Sequence, residues 1–114
     1  MPIAYKVLTA DEFEALKAGS FEGAPIDRTD GYIHLSTAAQ LSGTVERHFS
    51  GRTDLTIAAV DLAALGSAVR WEPSRDGQLF PHLYGALDAQ VIIATRALER
   101  DANGAVRLPS RPSA

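Results

Sequence analysis

Two short segments of the sequence each place a histidine between apolar residues and close to hydroxyl side chains. The histidines are His34, in DGYIHLST, and His82, in FPHLYG. The neighbouring hydroxyl groups belong to Ser36, Thr37 and Tyr84. An imidazole can transfer a proton near neutral pH, and a hydroxyl can hydrogen-bond a sugar or a phosphate. A lone buried histidine is more often a core residue than a catalyst, so the local sequence leaves both interpretations open.

A third segment, VRWE, supplies the carboxylate of greatest interest. On a strand, successive side chains lie on opposite faces, so Arg70 and Glu72 share one face and Trp71 lies on the other. An ion pair between Arg70 and Glu72 is the structural interpretation. If Glu72 faces a cleft instead, it can act as a general base or accept a hydrogen bond from a ribose hydroxyl. Trp71 and Tyr84 are candidates for stacking on a flat ring.

The remaining polar residues near these segments have structural explanations. Asp27 and Asp30 precede the first histidine in a stretch rich in Gly, Pro and Asp, which predicts a loop, and loop capping explains both aspartates. His48 lies beside Arg47 at the end of a predicted helix, where basic side chains are favoured. We therefore interpret these residues as structural.

Several kinds of site are excluded or not predicted. The sequence has no cysteine, which rules out disulfides, thiolate nucleophiles and cysteine zinc sites. It contains no glycine-rich GxGxxG or GxxxxGK[ST] motif, no HExxH and no GxSxG. The two histidines are too isolated to form a known metal pattern, so we predict no metal site and no nucleotide motif of these common types.

Length and composition fit one small globular domain. The chain has 114 residues, 46% of them hydrophobic, and we expect one domain over residues 1–109 with a disordered tail at 110–114. No apolar run approaches the roughly 20 residues that span a bilayer, and no signal peptide is predicted. The lack of cysteine fits a reducing cytoplasm. A net charge of −3 argues against broad nucleic-acid binding. Oligomeric state is not indicated.

Local patterns predict two helices in the first half of the chain. Each begins with capping-box spacing; the two boxes are Thr9 with Glu12 and Thr37 with Gln40. Gly19 and Gly51 end these helices. On the second helix, apolar residues recur every four positions from Leu41 to Phe49, as expected for a helix with one buried face.

Strands are predicted before, between and after the helices, at residues 4–9, 32–35, 55–62, 69–72 and 89–98. The continuous apolar run at 55–62 predicts a buried central strand, followed by one helical turn. Pro81 disfavours a central strand, so residues 78–85 are interpreted as a loop or an edge segment. Residues 100–109 predict a hairpin with Asn103-Gly104 as a primed turn. The predicted fold is α+β, with about five or six strands in small mixed sheets and about two helices.

The three motifs together resemble a family of small bacterial and plant proteins known as domain of unknown function 952. The resemblance covers approximately residues 3–109. The matching positions are Asp27, Asp30 to Ser36, Trp71 with Glu72, Phe80 to Gly85, and Leu108 with Pro109. The resemblance implies the ADP-ribosylation fold, a strongly bent and split pair of small sheets shared by ADP-ribosyltransferases and RNA 2'-phosphotransferases. It therefore implies His34 as the ribose-contacting residue, with Glu72, His82 and Tyr84 as candidate partners.

Three functional hypotheses remain open. The first is a nucleotide-handling protein that binds NAD, ADP-ribose or a 2'-phosphorylated group, with His34 on a ribose hydroxyl and Glu72 stabilising positive charge at C1'. The second is a non-catalytic module that binds a small molecule or a protein. The third is an RNA 2'-phosphotransferase-like enzyme that would need Arg28 and Arg70 beside the histidines. The candidate catalytic residues are His34, Glu72 and His82; the candidate ligand-binding residues are Ser36, Thr37, Arg70, Trp71 and Tyr84.

Overall fold

The structure is a computed structural model that describes residues 2–109; the predicted tail at 110–114 lies outside this range. The described chain has six strands: β1 (Ile3–Leu8), β2 (Ile33–His34), β3 (Thr56–Asp61), β4 (Val69–Pro73), β5 (Leu79–Leu83) and β6 (Ile92–Ala97). It also has four α-helices: α1 (Ala10–Ala18), α2 (Pro25–Asp30), α3 (Ala38–Phe49) and α4 (Leu62–Leu65). Three short 3₁₀ turns complete this part of the chain.

The strands form two small sheets of three strands each. The first has the order β1-β3-β6 and the second has the order β2-β5-β4. Every strand pair in the two sheets is antiparallel, so the expectation of mixed sheets is wrong. The prediction that residues 55–62 form a central strand is confirmed, because β3 lies between β1 and β6 and its four middle residues are buried.

The two sheets are joined where the chain leaves β2. Ser36 exchanges two backbone hydrogen bonds with Tyr5 of β1, with N–O distances of 2.7 and 2.9 Å. One residue earlier, the Leu35 amide still donates to the Pro81 carbonyl of β5. The chain after His34 therefore passes from the second sheet to the first within two residues, which holds the histidine close to β1.

The first sheet has a hydrophobic cluster on each face. One face packs against the second sheet and α1; its buried residues include Ala4, Leu8, Leu16, Ile33, Leu35, Val60 and Leu83. The other face is covered by α3; the cluster there includes Tyr5, Val7, Leu41, Val45, Ile57 and Ala59. The first sheet is therefore the middle layer of the fold.

The capping boxes of α1 and α3 form as predicted. The Thr9 and Thr37 side chains accept hydrogen bonds from the amides of Glu12 and Gln40, whose side chains accept from the threonine amides. Gly19 ends α1 with a φ of 79°. These contacts span only three residues, which is why the sequence alone could predict them.

Two further helices make the expected number of two too low. The turn predicted at residues 62–66 is α4, whereas α2 lies in the segment predicted as a loop. Pro25 occupies the start of α2, where its missing N–H is not needed, and Gly31 ends the helix with a φ of 85°. The Asp27 carboxylate accepts from the Ala24 amide at 2.8 Å and so caps the helix from inside its first turn.

The interpretation of residues 78–85 as a loop or an edge is wrong, because β5 is the central strand of the second sheet. The missing N–H of Pro81 lies on the side of β2, which is only two residues long. At that point the partner chain already turns away to pair with Tyr5. The proline therefore costs a single hydrogen bond at the end of a short strand.

The C-terminal segment bends back as predicted, but its turn is different. Arg100 and Val106 form an isolated antiparallel bridge. Every primed turn needs a positive φ at its first central residue, whereas Gly104 has a positive φ and Asn103 does not. The Gly104 amide donates to the Asp101 carbonyl, so the turn runs from Asp101 to Gly104 with Ala102 and Asn103 at its centre. Gly104, which follows them, is in the left-handed region.

The longest helix within residues 2–109 is α3, with 12 residues. No helix in this part of the chain is long and apolar enough to cross a bilayer.

Candidate functional site

The two histidine segments meet on one face of the second sheet. His34 of β2 lies directly opposite His82 of β5, and the centroids of the two rings are 5.5 Å apart. Arg70 of β4 lies opposite His82 on its other side. Side chains directly opposite in an antiparallel pair lie on the same face, so these three residues form a row across the sheet. The structure thus brings together both segments that the sequence singled out.

Two carboxylates of α2 contact the ring of His34. Its Nδ1 is 2.7 Å from Asp27 Oδ1, and its Nε2 is 3.0 Å from Asp30 Oδ2. The amide of His34 also donates to Asp27 Oδ1 at 3.0 Å. When both carboxylates are ionised they only accept hydrogen bonds, so the ring can satisfy both only by donating from both nitrogens. These contacts fix the orientation of His34.

A buried lysine completes this group. Lys6 Nζ lies 2.8 Å from Asp27 Oδ2 and donates to the His34 carbonyl at 3.1 Å. Burial alone would raise the pKa of Asp27, but the hydrogen bond from His34 and the charge of Lys6 outweigh it and hold the pKa well below its usual range. Asp27 is therefore ionised at neutral pH, and its charge is balanced inside the protein by Lys6.

His82 has a different environment. Its ring is 2% exposed, and its Nδ1 lies 2.9 Å from Glu72 Oε1. The same oxygen accepts from the Tyr84 hydroxyl at 2.8 Å. The hydrogen bond from His82, then that from Tyr84, lowers the pKa of Glu72, whereas the bond to Glu72 raises the pKa of Tyr84. Since Glu72 is ionised and accepts, Nδ1 of His82 donates.

The second ring nitrogen of His82 is an exception among buried polar atoms. His82 Nε2 is buried and has no hydrogen-bond partner within the described part of the chain. A protonated Nε2 would leave a buried N–H without an acceptor, which is costly, although Glu72 beside Nδ1 would balance the charge. The neutral ring, with its proton on Nδ1, leaves a lone pair on Nε2. His82 is thus a buried hydrogen-bond acceptor without a donor.

Aromatic rings surround the two histidines. Tyr32 stacks on His82, with ring centroids 4.1 Å apart and an angle of 19° between the planes. Tyr32 also contacts His34 and Tyr84. Burial, followed by the charges of Asp30 and Glu72, raises the pKa of Tyr32. The guanidinium of Arg70 lies 4.7 Å above the Tyr84 ring.

Both histidines line the larger of two cavities, which we call the main cavity. It has a volume of about 540 Å³, within the range of about 300–1,000 Å³ found for small-ligand pockets. Its wall is formed by β1, the starts of α1 and α2, β2, the end of α3, and β5. The polar lining residues include Lys6, Glu12, His34, Ser36, Thr44, His48, Arg52 and His82; the apolar ones include Val7, Ile26, Leu35, Phe49 and Phe80.

A second cavity of about 360 Å³ lies on the other side of α2. Arg28 and Tyr32 line it together with the glycines Gly31 and Gly85. Asp27 also lines this cavity, while it holds His34 at the wall of the main cavity. The two cavities are therefore separated by the group that orients His34.

The predicted site residues divide into three groups. His34, Ser36 and His82 line the main cavity, and the Ser36 hydroxyl is bonded to Thr44 at 2.7 Å. Glu72, Tyr84 and Arg70 do not line it, but they connect to His82 by the contacts described above. Thr37 and Trp71 line neither cavity.

Thr37 and Trp71 have other places in the fold. The Thr37 side chain caps α3. Trp71 lies on the opposite face of β4 from Glu72, as the alternation predicted, and is 48% exposed. The alternative of an Arg70–Glu72 ion pair is wrong, because Glu72 pairs with His82 and Arg70 lies on Tyr84.

Sequence reasoning missed Lys6, Asp27, Asp30 and Tyr32 as members of the site. Loop capping was predicted for both aspartates, but Asp27 caps the helix α2 and also binds Lys6 and His34, and Asp30 contacts the ring of His34. One signal was present: Lys6 alternates with Ala4 and Leu8, both fully buried, on the same face of a strand. A charged residue in such a row indicates a buried partner.

Within residues 2–109, no group of three or more His, Asp or Glu side chains is arranged to hold a metal ion. In the His34 group, Lys6 already balances the charge of Asp27, and the carboxylates are used as hydrogen-bond acceptors. The contacts of Lys6 and His34 with Asp27 and Asp30 are therefore hydrogen bonds and ion pairs between protein side chains.

Comparison with known proteins shows the family. The model of the family described as DUF952, protein of unknown function, matches residues 7–95. This match covers well over half of the chain, which therefore belongs to the DUF952 family. No curated protein matches the sequence.

Solved structures with the same fold come from Caulobacter crescentus. The crystal structure of protein CC0527 is 39% identical, covers 93% of this chain and 94% of its own, and superposes with a TM-score of 0.83. The solution NMR structure of CC0527 is 41% identical, covers 93% and 91% of the two chains, and has a TM-score of 0.77. The chain is thus similar to CC0527 over nearly its whole length.

Proposed function

We propose that the main cavity binds a small ribose-containing ligand, for which NAD and ADP-ribose are the leading candidates. The observation that carries this proposal is the buried Nε2 of His82, which has a lone pair and no donor in the described protein. The ring belongs to the wall of a cavity of ligand size. Buried polar atoms in proteins are almost always hydrogen-bonded, so an acceptor left unpaired at a cavity wall indicates a donor from a ligand.

A ribose hydroxyl fits this acceptor. It can donate its proton to Nε2 while its oxygen accepts from another group. His34 lies next to His82, and its Nε2 is bonded to the Asp30 carboxylate, which is 38% exposed, so a second hydroxyl of the same sugar reaches His34 by displacing Asp30. Nε2 is covered by protein atoms, so the donor enters with a local shift of the surrounding side chains.

An ADP-ribosyltransferase-like reaction is the catalytic form of this proposal. The bond between C1' of the ribose and the nicotinamide nitrogen breaks, and its electron pair leaves with nicotinamide. In this form the O–H group of the nucleophile, in place of a ribose hydroxyl, donates to His82 Nε2; the nucleophile adds at C1' and Nε2 accepts its proton. Glu72 contacts His82 and Tyr84 rather than the cavity, so its charge acts through His82 by holding the proton on Nδ1 and stabilising the imidazolium.

The first test is a titration of labelled protein with NAD, ADP-ribose and a 2'-phosphorylated nucleotide, followed by amide chemical shifts. We expect saturable shifts around His34 and His82. His82→Phe keeps a ring beside Tyr32 but removes the acceptor, so it should weaken binding at least about tenfold. Trp71→Phe, on the other face of β4, is the matched control and should bind normally. Absence of shifts at millimolar ligand in folded protein would refute the proposal.

A non-catalytic binding module is the second candidate, and one observation favours it. The pKa values of Asp27 and Glu72 are both lowered, so neither carboxylate is tuned to exchange a proton near neutral pH. In this form His34 and His82 hold the ligand without proton transfer. Release of nicotinamide from NAD, followed by proton NMR, separates the two candidates, since the module binds but releases none.

The RNA 2'-phosphotransferase-like alternative receives less support. It needs two arginines facing the histidines. Arg28 lines the second cavity, and Arg70 lies on the ring of Tyr84. We therefore base the proposal on the ribose and not on a phosphate of RNA.

A further inference from the structure

We infer that the main cavity recognises the uncharged nucleoside part of its ligand and that phosphate groups add no binding there. This inference rests on the proposed function and specifies it. For NAD or ADP-ribose it means that a ribose and its attached ring enter the cavity, whereas the diphosphate stays in solvent. Three observations on the cavity wall lead to it.

The first observation is that the cationic side chains of the wall already have carboxylate partners. Lys6 is paired with buried Asp27. Arg52 makes two hydrogen bonds to Asp54, from Nε at 3.0 Å and from Nη2 at 2.7 Å. A phosphate would have to compete with a bidentate carboxylate for Arg52, and it would gain little by doing so.

The other charges of the wall do not reverse this balance. Glu12 adds a negative charge near Arg52, and its field acts on that arginine. His48 also lines the cavity and already has an interaction within the protein. It lies at the C-terminal end of α3, where the helix dipole is negative and repels anions. The wall therefore offers no excess of positive charge to a diphosphate.

The second observation concerns the starts of α1 and α2, which also belong to the wall. Helix N-termini commonly bind phosphate through free amides. In α1, the Glu12 carboxylate accepts from the Thr9 amide at 2.9 Å. In α2, the Asp27 carboxylate accepts from the Ala24 amide at 2.8 Å. The protein's own carboxylates thus occupy the two N-cap amides and place a negative charge at the start of each helix, which repels an anion there.

The third observation is the hydrogen-bonding character of His82. Its Nδ1 donates to Glu72, so the buried Nε2 of the neutral ring can only accept. An ionised phosphate oxygen also only accepts and cannot satisfy it. A sugar hydroxyl or a ring N–H can. The apolar residues Leu35 and Phe80 of the same wall provide surface against which a flat ring can pack.

The test compares each ligand with and without its phosphate. Wild-type protein is titrated with the common ribonucleosides and nicotinamide riboside, with their 5'-monophosphates, and with ADP-ribose and NAD. For the base whose nucleoside binds most tightly, we expect the dissociation constants of nucleoside and nucleotide to differ by less than about threefold. Both constants should change little when the sodium chloride concentration is raised. A nucleotide that binds more than about tenfold tighter, and loses this advantage in salt, would overturn the inference.

A pair of variants sharpens the comparison. Asp54→Asn removes the exposed partner of Arg52 and frees the guanidinium without touching the histidines. It should tighten binding of the monophosphate by about threefold or more and leave the affinity for the nucleoside unchanged. Arg52→Gln is the matched control and should affect neither ligand in the otherwise wild-type protein. A loss of monophosphate affinity in Arg52→Gln would contradict the inference, since it would show that Arg52 already binds phosphate.

The experiment also distinguishes the inference from the proposed function. If neither nucleosides nor nucleotides bind, the ribose-ligand proposal itself fails. If both bind but phosphate adds affinity, the proposal stands and this inference fails. Removal of one hydroxyl, with 2'-deoxy and 3'-deoxy analogues of the best nucleoside, should cost at least about tenfold for the hydroxyl that donates to His82.

Discussion

The two histidine–carboxylate pairs of the site are built in opposite ways. In the His34–Asp27 pair the carboxylate is 2% exposed and the imidazole is 27% exposed. In the His82–Glu72 pair the imidazole is 2% exposed and the carboxylate is 35% exposed. Both pairs use Nδ1 for the carboxylate, at 2.7 and 2.9 Å.

The difference shows that burial decides which member of each pair needs a further partner. A buried carboxylate needs a positive charge beside it, and Lys6 supplies this charge for Asp27. A buried imidazole can be neutral and needs no counter-charge, so His82 keeps a lone pair for a donor. The first pair is therefore a fixed structural anchor for His34, whereas the second pair is the one suited to hydrogen-bond a ligand.

The largest expected effect tests the anchor. Lys6→Met removes the charge that balances Asp27 and leaves the buried carboxylate with only His34 and the Ala24 amide as partners. We expect a loss of about 3–5 kcal/mol in the free energy of unfolding, as found when one partner of a buried ion pair is removed. Urea denaturation followed by circular dichroism measures this loss. Arg52→Gln, which breaks an exposed pair, is the control and should leave the free energy of unfolding nearly unchanged.

A substitution of both buried partners checks the cause. Lys6→Met combined with Asp27→Asn removes the uncompensated charge, so part of the lost stability should return. If the loss of unfolding free energy in the double variant equals the sum of the losses in the two single variants, Lys6 and Asp27 do not act as a unit. The pair would then not be the anchor of His34.

The next effect is the pH dependence of stability. The pKa of Asp27 is lowered in the folded protein, so the unfolded chain binds a proton that the folded chain does not. The contribution of Asp27 is therefore present above the ordinary carboxyl pKa of about 4 and is lost as the pH falls below it. Between pH 5 and 3, wild type should lose about 1–2 kcal/mol more stability than Asp27→Asn. Equal slopes for the two proteins would contradict this prediction.

Glu72→Gln should change the stability of the fold less than Lys6→Met does, but it should change the protonation of the His82 ring. In wild type the ionised Glu72 holds the proton of His82 on Nδ1. An amide can accept or donate, so the variant should contain both neutral tautomers of His82. Nitrogen-15 spectra of the ring distinguish them. Asp30→Asn, which changes a contact of His34, is the control and should leave the His82 signals as they are. A wild-type ring with its proton on Nε2 would rule out the assigned acceptor.

The smallest effect is expected from Tyr84→Phe. The hydroxyl donates to Glu72, on an oxygen that His82 also uses, and the tyrosine is partly exposed. Its loss should leave the tautomer of His82 unchanged and weaken ligand binding by less than about threefold. Titration calorimetry with the best ribosyl ligand measures this. A loss as large as that of His82→Phe would show that Tyr84 itself contacts the ligand.

Much of the local structure could be predicted from the sequence. Thr9 with Glu12, and Thr37 with Gln40, form their boxes from contacts three residues apart, so neighbouring residues alone decide them. The buried run of β3 also follows from composition, since a strand covered on both faces is apolar throughout. The two histidine segments were recognisable because their residue types are rare in such apolar surroundings.

Other features depend on residues that are distant in the sequence. The central position of β5 contradicts the local signal of Pro81, and it is accepted because β2 is too short to need that N–H. The match between Lys6 and Asp27 joins residues 21 positions apart, and no local pattern identifies such a partner. The function of Asp27 therefore looked like simple capping from the sequence.

The sequence by itself determined α1, α3, β3 and the two histidine segments, because hydrogen bonds within one turn and the alternation of a strand are local properties. It did not determine α2 or the central place of β5. Only the tertiary structure decided the burial of each partner, and burial decides whether a carboxylate needs a cation or an imidazole stays neutral. His34 and His82 have similar neighbours along the chain. They differ because α2 brings two carboxylates to His34, whereas β4 and Tyr32 enclose His82.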